Sequence, residues 1–272
     1  MITIIILIFL SCNINSFAII NRIVSLGPII TEELYILGSG EKIVGNTIYC
    51  QKPEPAKYKE KVGTIIEHDV EKIVSLKPDI VFATSLTNPN TIEKLKYLKI
   101  KVVRFSYAKS FDELCSQLLD LGKYIGKEEI AKNIINDIRK KVKNIRNKTK
   151  KLKKPKVVVQ VGSNPLWLAI KESYINDLIE FAGGLNIGPS GKSGLYSREK
   201  LVKQDPDIII ICEMGVKGEE EKKEWQKYKS MSAVKHNRIY IIDSYKIGST
   251  TPVSFLEVLN DFVKILHPEL EQ

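Results

Sequence analysis

Two twelve-residue segments far apart in the chain run in parallel without a gap: EKIVSLKPDIVF at 71–82 and EKLVKQDPDIII at 199–210. Three further pairs keep the same order. Residues 23–28 (IVSLGP) face 159–165 (VQVGSNP), 37–40 (LGSG) face 182–184 (AGG), and 104–107 (RFSY) face 242–245 (IDSY). One short match would be chance, but four in register restrict the chain to architectures in which one folding unit occurs twice. The other possibility is that two unrelated α/β units share the same strand, loop and helix punctuation.

Between the halves lies KEEIAKNIINDIRKKVKNIRNKTKKLK, residues 127–153. Apolar residues recur at Ile130, Ile134, Ile135, Ile138, Val142 and Ile145, a spacing that draws one narrow stripe along a helix. A helix of that length is roughly 40 Å from end to end, enough to join two bodies as a strut. Pro155 cannot continue it.

Each half alternates short apolar strands with helices, which implies a parallel sheet covered on both faces. In the first half the expected strands are 23–26, 43–45, 80–83 and 102–105, with helices over 31–37, 71–76 and 91–98. In the second, strands are expected at 156–161, 208–212 and 239–242, with helices at 173–182, after Ser197, and at 254–266. Asp69 and Ser197 are good N-caps for the two helices of the repeat. The expected fold is α/β: two Rossmann-like lobes, each a parallel sheet flanked by helices, joined by one long backbone helix. The expected boundaries are 19–126 for the first lobe, 127–153 for the linking helix and 154–272 for the second lobe. Each lobe is long enough to bury its own core.

Residues 1–18 read as a secretory signal, with an apolar run from Ile2 to Leu10 and a small-x-small pattern at Ser16-Phe17-Ala18. Cleavage after Ala18 gives an exported or periplasmic protein. The alternative takes Leu10-Ser11-Cys12 as a lipobox, with Cys12 carrying a lipid anchor. The other cysteines, Cys50, Cys115 and Cys212, are odd in number and widely spaced, so free buried thiols are expected rather than a disulfide framework. The formal net charge of +10 comes largely from lysines on helices and on the strut. Without a recognisable nucleic-acid motif it supports at most a mild bias toward anionic ligands or surfaces, and a nucleic-acid partner is not expected.

The segments DVEKIVSLKPDIVFA, SREKLVKQDPDIIII and VGSNPLWLAIKESYINDLIEFAGGLNIG resemble the periplasmic binding proteins for iron-siderophores, haem and cobalamin, the class with a rigid helical backbone. Among these, the cobalamin-binding members are the nearest in pattern. The likeness runs from Ile23 to about Leu266 and implies a solute receptor that delivers cargo to the permease of an ABC importer, opening and closing only slightly. It implies no intrinsic cofactor. The cargo would be a cobalt or iron chelate held between the lobes.

The family pattern places one docking carboxylate on each lobe at Glu71 and Glu199, the matched pair of the repeat. Exposed charges suit reversible, oriented docking; a carboxylate in the first turn of a helix is also favoured by the helix dipole alone. The likeness places Tyr49 at an aromatic position of the ligand pocket. Tyr107, Trp167, Tyr196 and Tyr245 occupy comparable loops, where flat rings can stack on a macrocycle and hydroxyls can meet iron. Ile65 stands where the cobalamin-binding members carry Trp. Lys192 and Arg198 could meet an anionic ligand or serve as solvated surface.

Catalysis is not expected. Gly191-Lys192-Ser193 lacks the glycine five positions earlier that a phosphate loop requires, since that position is Asn186. His68, His236 and His267 are scattered, which disfavours a zinc or manganese receptor of related architecture. A non-transport binding protein is the remaining alternative. A monomer is expected.

Overall fold

The computed structural model describes residues 20–212 and 217–271. The leader and the Cys12 alternative lie outside them. The first lobe comprises β1 (Ile23–Ser25), α1 (Pro28–Ile36), β2 (Ile43–Asn46), α2 (Val70–Ser75), β3 (Ile80–Ala83), α3 (Pro89–Tyr97) and β4 (Val102–Arg104). Two long helices follow, α4 (Phe111–Tyr124) and α5 (Glu128–Thr149). The second lobe then runs β5 (Lys156–Gly162), β6 (Trp167–Leu168), α6 (Tyr174–Phe181), β7 (Leu185–Asn186), α7 (Arg198–Gln204) and β8 (Ile208–Cys212). It closes with α8 (Gly218–Gln226), α9 (Ser232–Lys235), β9 (Ile239–Ile242), α10 (Ser244–Gly248) and α11 (Pro252–Leu266).

The first sheet is parallel in the order β2-β1-β3-β4. In the second, β5, β8 and β9 are parallel, and β7 pairs in parallel with the start of β5. The two-residue strand β6 is antiparallel to the end of β5, an addition that the repeat does not contain. Leaving β6 aside, both sheets share one strand order.

The repeat extends to individual hydrogen bonds. Asp79 Oδ2 accepts from the backbone N–H groups of Asn21 and Arg22 at the entry to β1, and Asp207 Oδ2 accepts from that of Lys156 at the entry to β5. The Arg22 guanidinium donates to the carbonyls of Leu76 and Lys77; the Lys156 ammonium donates to those of Gln204 and Asp205, the corresponding residues. Lys77 and Asp205 both adopt positive φ, 46° and 50°. Helices α1 and α6 stop in the same way, at Gly38 (φ 68°) and Gly183 (φ 84°), a left-handed turn that glycine enters without a Cβ penalty.

Helix α5 forms where the apolar stripe requires it and buries Ala131, Ile135, Ile138 and Val142. Glu128 and Glu129 begin it, Arg146 and Lys148 end it, and both pairs complement the helix dipole. It is shorter than its sequence pattern because Thr149 closes it, its Oγ1 donating to the Phe181 carbonyl at 2.8 Å.

The structure corrects the picture of two self-contained cores on a strut. Ile23 and Phe82 of the first lobe and Val157 and Ile210 of the second belong to one contiguous apolar cluster with α4, α5, α6 and α11. At its centre the Phe111 and Phe255 ring centroids stand 4.6 Å apart, with Phe181 edge-on to both. Smaller clusters fill the opposite face of each sheet. A shared interior resists hinge bending, because opening the lobes widely would expose it to water.

Candidate functional site

The parallel strands of both sheets end against one cleft of about 710 Å³. Turns after β1 (Gly27, Pro28), β3 (Thr84–Leu86), β4 (Phe105–Tyr107) and β9 (Ser244, Tyr245) all line it. This is where open parallel sheets gather ligands.

Four of the five expected aromatic residues meet there: Tyr49, Tyr107, Trp167 and Tyr245. Tyr49, Tyr107 and Trp167 are each about half exposed, at 50%, 52% and 41%, and all three line the cleft. The loop carrying Tyr49 is fastened beneath by Lys61, whose ammonium donates to Asn46 Oδ1 at 2.7 Å and to the Ala56 carbonyl at 3.0 Å. Buried Cys50 adds a contact, taking a hydrogen bond on Sγ from Thr31 of α1 at 3.2 Å. Trp167 is held by its pairing with Gly162, and Gly194 permits the close approach of the next loop: a Cβ there would lie 2.5 Å from Trp167 Nε1. Tyr107 packs on Tyr174 of the opposite lobe with ring centroids 5.7 Å apart, which closes the cleft floor.

Tyr196 does not join them. Its hydroxyl donates to Gln204 at 2.6 Å, Lys200 lies over its ring, and it packs against the outer core of the second lobe. Its loop precedes α7 on the face of the sheet away from the shared core. Arg198 also lies elsewhere, paired with Glu221 and stacked over Trp225. Lys192 and Ile65 do line the cleft.

Sequence reasoning missed Tyr174, Glu32 and Glu33. Tyr245, which lines the cleft, donates to Glu32 of α1 in the other lobe at 2.5 Å. Burial raises the Glu32 carboxyl, against the opposing pull of that hydrogen bond. The Tyr245 hydroxyl is raised by burial and then by Glu32, so it stays protonated as the donor. Glu33 is only 3% exposed and lines the cleft, and its Oε1 is buried without a hydrogen-bond partner. Burial first, then the neighbouring Glu32, pushes its carboxyl up to about 8. The signal for Glu33 was present: it interrupts the apolar stripe Ile30, Leu34, Leu37.

Glu71 and Glu199 occupy the same second position of α2 and α7, and both are exposed. The cap geometry is equivalent: Asp69 accepts from the Lys72 N–H at 2.9 Å and Ser197 from the Lys200 N–H at 3.1 Å. In a parallel β-α-β unit the helix begins at the strand carboxyl ends, so both carboxylates stand at the cleft-bearing end of their sheets. A hydrogen bond from Ser197 lowers the Glu199 carboxyl.

Among the described residues, no group of three or more His, Cys, Asp or Glu side chains is placed to hold a metal ion. His68, His236 and His267 fall in three separate connections. Cys50, Cys115 and Cys212 are buried and form no disulfide. No helix among the described residues is long and apolar enough to cross a membrane.

Residues 23–246 match the family described as periplasmic binding protein. An uncharacterized ABC transporter substrate-binding lipoprotein of Bacillus subtilis is 30% identical over 258 residues, covering 91% of this chain and 80% of that one. A vitamin B12-binding protein of Vibrio vulnificus is 26% identical over 242 residues, 88% of each chain. The crystal structure of a possible iron-binding periplasmic solute-binding protein from Staphylococcus epidermidis superposes with a TM-score of 0.81 at 29% identity, covering 92% of this chain and 99% of that one.

Proposed function

Because this chain belongs to the periplasmic binding protein family, we propose that it is the substrate-binding component of an ABC importer, capturing a cobalt or iron chelate between its lobes. The observation that carries the reading is the convergence of Tyr49, Tyr107, Trp167 and Tyr245 on one cleft at the strand carboxyl ends. Its volume and open aromatic faces suit a large flat or globular chelate better than a bare ion. Relatives named for vitamin B12 and for iron support the same class.

In this reading the aromatic rings take the hydrophobic faces of the cargo, and Glu71 and Glu199 dock to cations on the permease. Their equivalence in the repeat favours that role over capping alone. Cargo stabilises a slightly closed arrangement of lobes that share a core, so the two carboxylates keep a nearly fixed separation. The chain acts as a monomer without catalysis, with residues 1–18 as a cleaved leader or Cys12 as a lipid anchor. Residues 19–126 and 154–272 form the lobes and 127–153 the link.

Uptake tests the proposal. Cells lacking this chain should lose high-affinity accumulation of one radiolabelled chelate among cyanocobalamin, haemin and ferric siderophores, and the wild-type gene should restore it. Unchanged accumulation of all of them would contradict transport.

A further inference from the structure

Glu33 is the feature of the cleft that packing does not explain. It sits on the buried side of α1 beside Ile30, Leu34 and Leu37, where an apolar side chain would continue the core. Glu33 nevertheless lines the cleft, and its Oε1 is buried with no hydrogen-bond partner, an arrangement that costs stability and calls for a reason outside the fold.

We propose that Glu33 is the polar anchor of the cargo, its carboxyl donating a hydrogen bond to an uncharged acceptor such as an amide carbonyl, so that the cleft selects amide-bearing chelates over polyanionic ones. This rests on the transport reading above. The charge inventory of the cleft supports it. Glu33 and Lys192 are the only acidic or basic side chains that line it among the described residues, and Lys192 is exposed on a glycine-rich loop. A ligand bearing several carboxylates or catecholates would lose its hydration there without matching cations.

The groups around Glu33 hold its proton in place. Glu32 on the same helix opposes a second negative charge. On α4, burial pushes the Cys115 thiol up to about 11. The positive group on that side, Arg139 of α5, is paired with Asp112 at 2.8 Å. Across the cleft, Tyr174 and Tyr245 are both raised and remain neutral donors. At neutral pH Glu33 therefore carries the one proton its position can offer to a ligand.

Calorimetric titration of the wild type, Glu33→Gln and Glu33→Leu with cyanocobalamin, haemin and ferric enterobactin tests this. The wild type should bind cyanocobalamin at least about tenfold more tightly than either anionic chelate. Glu33→Leu, which extends the apolar stripe and should fold, is expected to lose about tenfold in affinity for cyanocobalamin, while Glu33→Gln, which keeps a donor, stays within about threefold. Wild-type affinity should fall between about pH 7 and about pH 9 as the donor ionises, and that of Glu33→Gln should stay flat. Full affinity in Glu33→Leu, or tighter binding of haemin or ferric enterobactin by the wild type, would overturn the assignment while leaving transport standing. Binding of none of the three would overturn the transport reading and this inference with it.

Discussion

Tyr245 of the second lobe donates a hydrogen bond to Glu32 of the first, 2.5 Å long, and the Lys52 ammonium lies 4.7 Å from the same ring's centroid. Among the bonds that cross between the lobes, this one stands at the cleft wall, where cargo would pass. Phe111 N–H to Asp177 Oδ2, at 2.7 Å, ties the lobes within the region of the shared core. The first lies at the cleft, whereas the second lies beside the packing of Phe111 on Phe181 and Phe255.

Tyr245→Phe should therefore loosen the cleft more than the fold. A hydrogen bond to a charged acceptor contributes about 1.5–3 kcal/mol, and partial exposure puts the loss at the lower end. The expected result is a small drop in stability and a several-fold faster dissociation of cargo, read by stopped-flow. An unchanged dissociation rate would show that the tie plays no part in retention.

Glu33 makes stability depend on pH in a definite direction. Its folded-state value of about 8 lies above the ordinary carboxylate range, so the native state holds the proton more tightly than the unfolded chain does. That contribution is complete below about pH 4.5 and is lost as pH rises toward about 8, on the order of a few kcal/mol in all. Thermal melts at about pH 5 and about pH 8.5 should show a larger decline in the wild type than in Glu33→Gln. Equal declines would mean that Glu33 ionises as an ordinary surface carboxylate.

Trp167 and Tyr196 provide a matched contrast. Trp167→Ala removes a ring open to the cleft and should weaken chelate binding about tenfold, with little effect on folding. Tyr196→Phe removes the hydrogen bond to Gln204 and should cost about 1 kcal/mol of stability while leaving affinity unchanged. Calorimetry and thermal melts on the pair separate the two roles, and loss of affinity in Tyr196→Phe would contradict its placement outside the cleft.

The double variant Glu71→Ala, Glu199→Ala should bind cargo normally, since both side chains are exposed and neither lines the cleft. Uptake should fall at least about tenfold, because docking charges act on encounter and orientation. Normal uptake would leave capping as the whole role of both residues.

Much of this was legible in the residues. The matched Glu71 and Glu199, their N-caps and the helix stop at Gly38 and Gly183 follow from local chemistry that a sequence displays directly. The parallel sheets followed from the alternation of strands and helices; their strand order did not. What escaped was direction and company. Tyr196 and Tyr245 both lie near a strand or helix end, yet Tyr196 packs against the outer core of the second lobe while Tyr245 lines the cleft, a difference that local sequence does not display. Helix α4 was passed over, although Phe111, Leu114, Cys115, Leu118 and Leu121 carry helical spacing, and with it the shared core that joins the lobes. Glu33 was hidden by the expectation that a carboxylate on a short helix faces water.

The central claim is that a chelate binds between the lobes, and hydrogen exchange with and without cargo tests it most directly. Loops at 84–86, 105–108, 192–194 and 244–249 line one cleft from both lobes, so saturating cargo should slow exchange in all four together. The outer helices α3 and α8 should be unaffected. Protection confined to one lobe, or centred on the outer helices, would contradict the account.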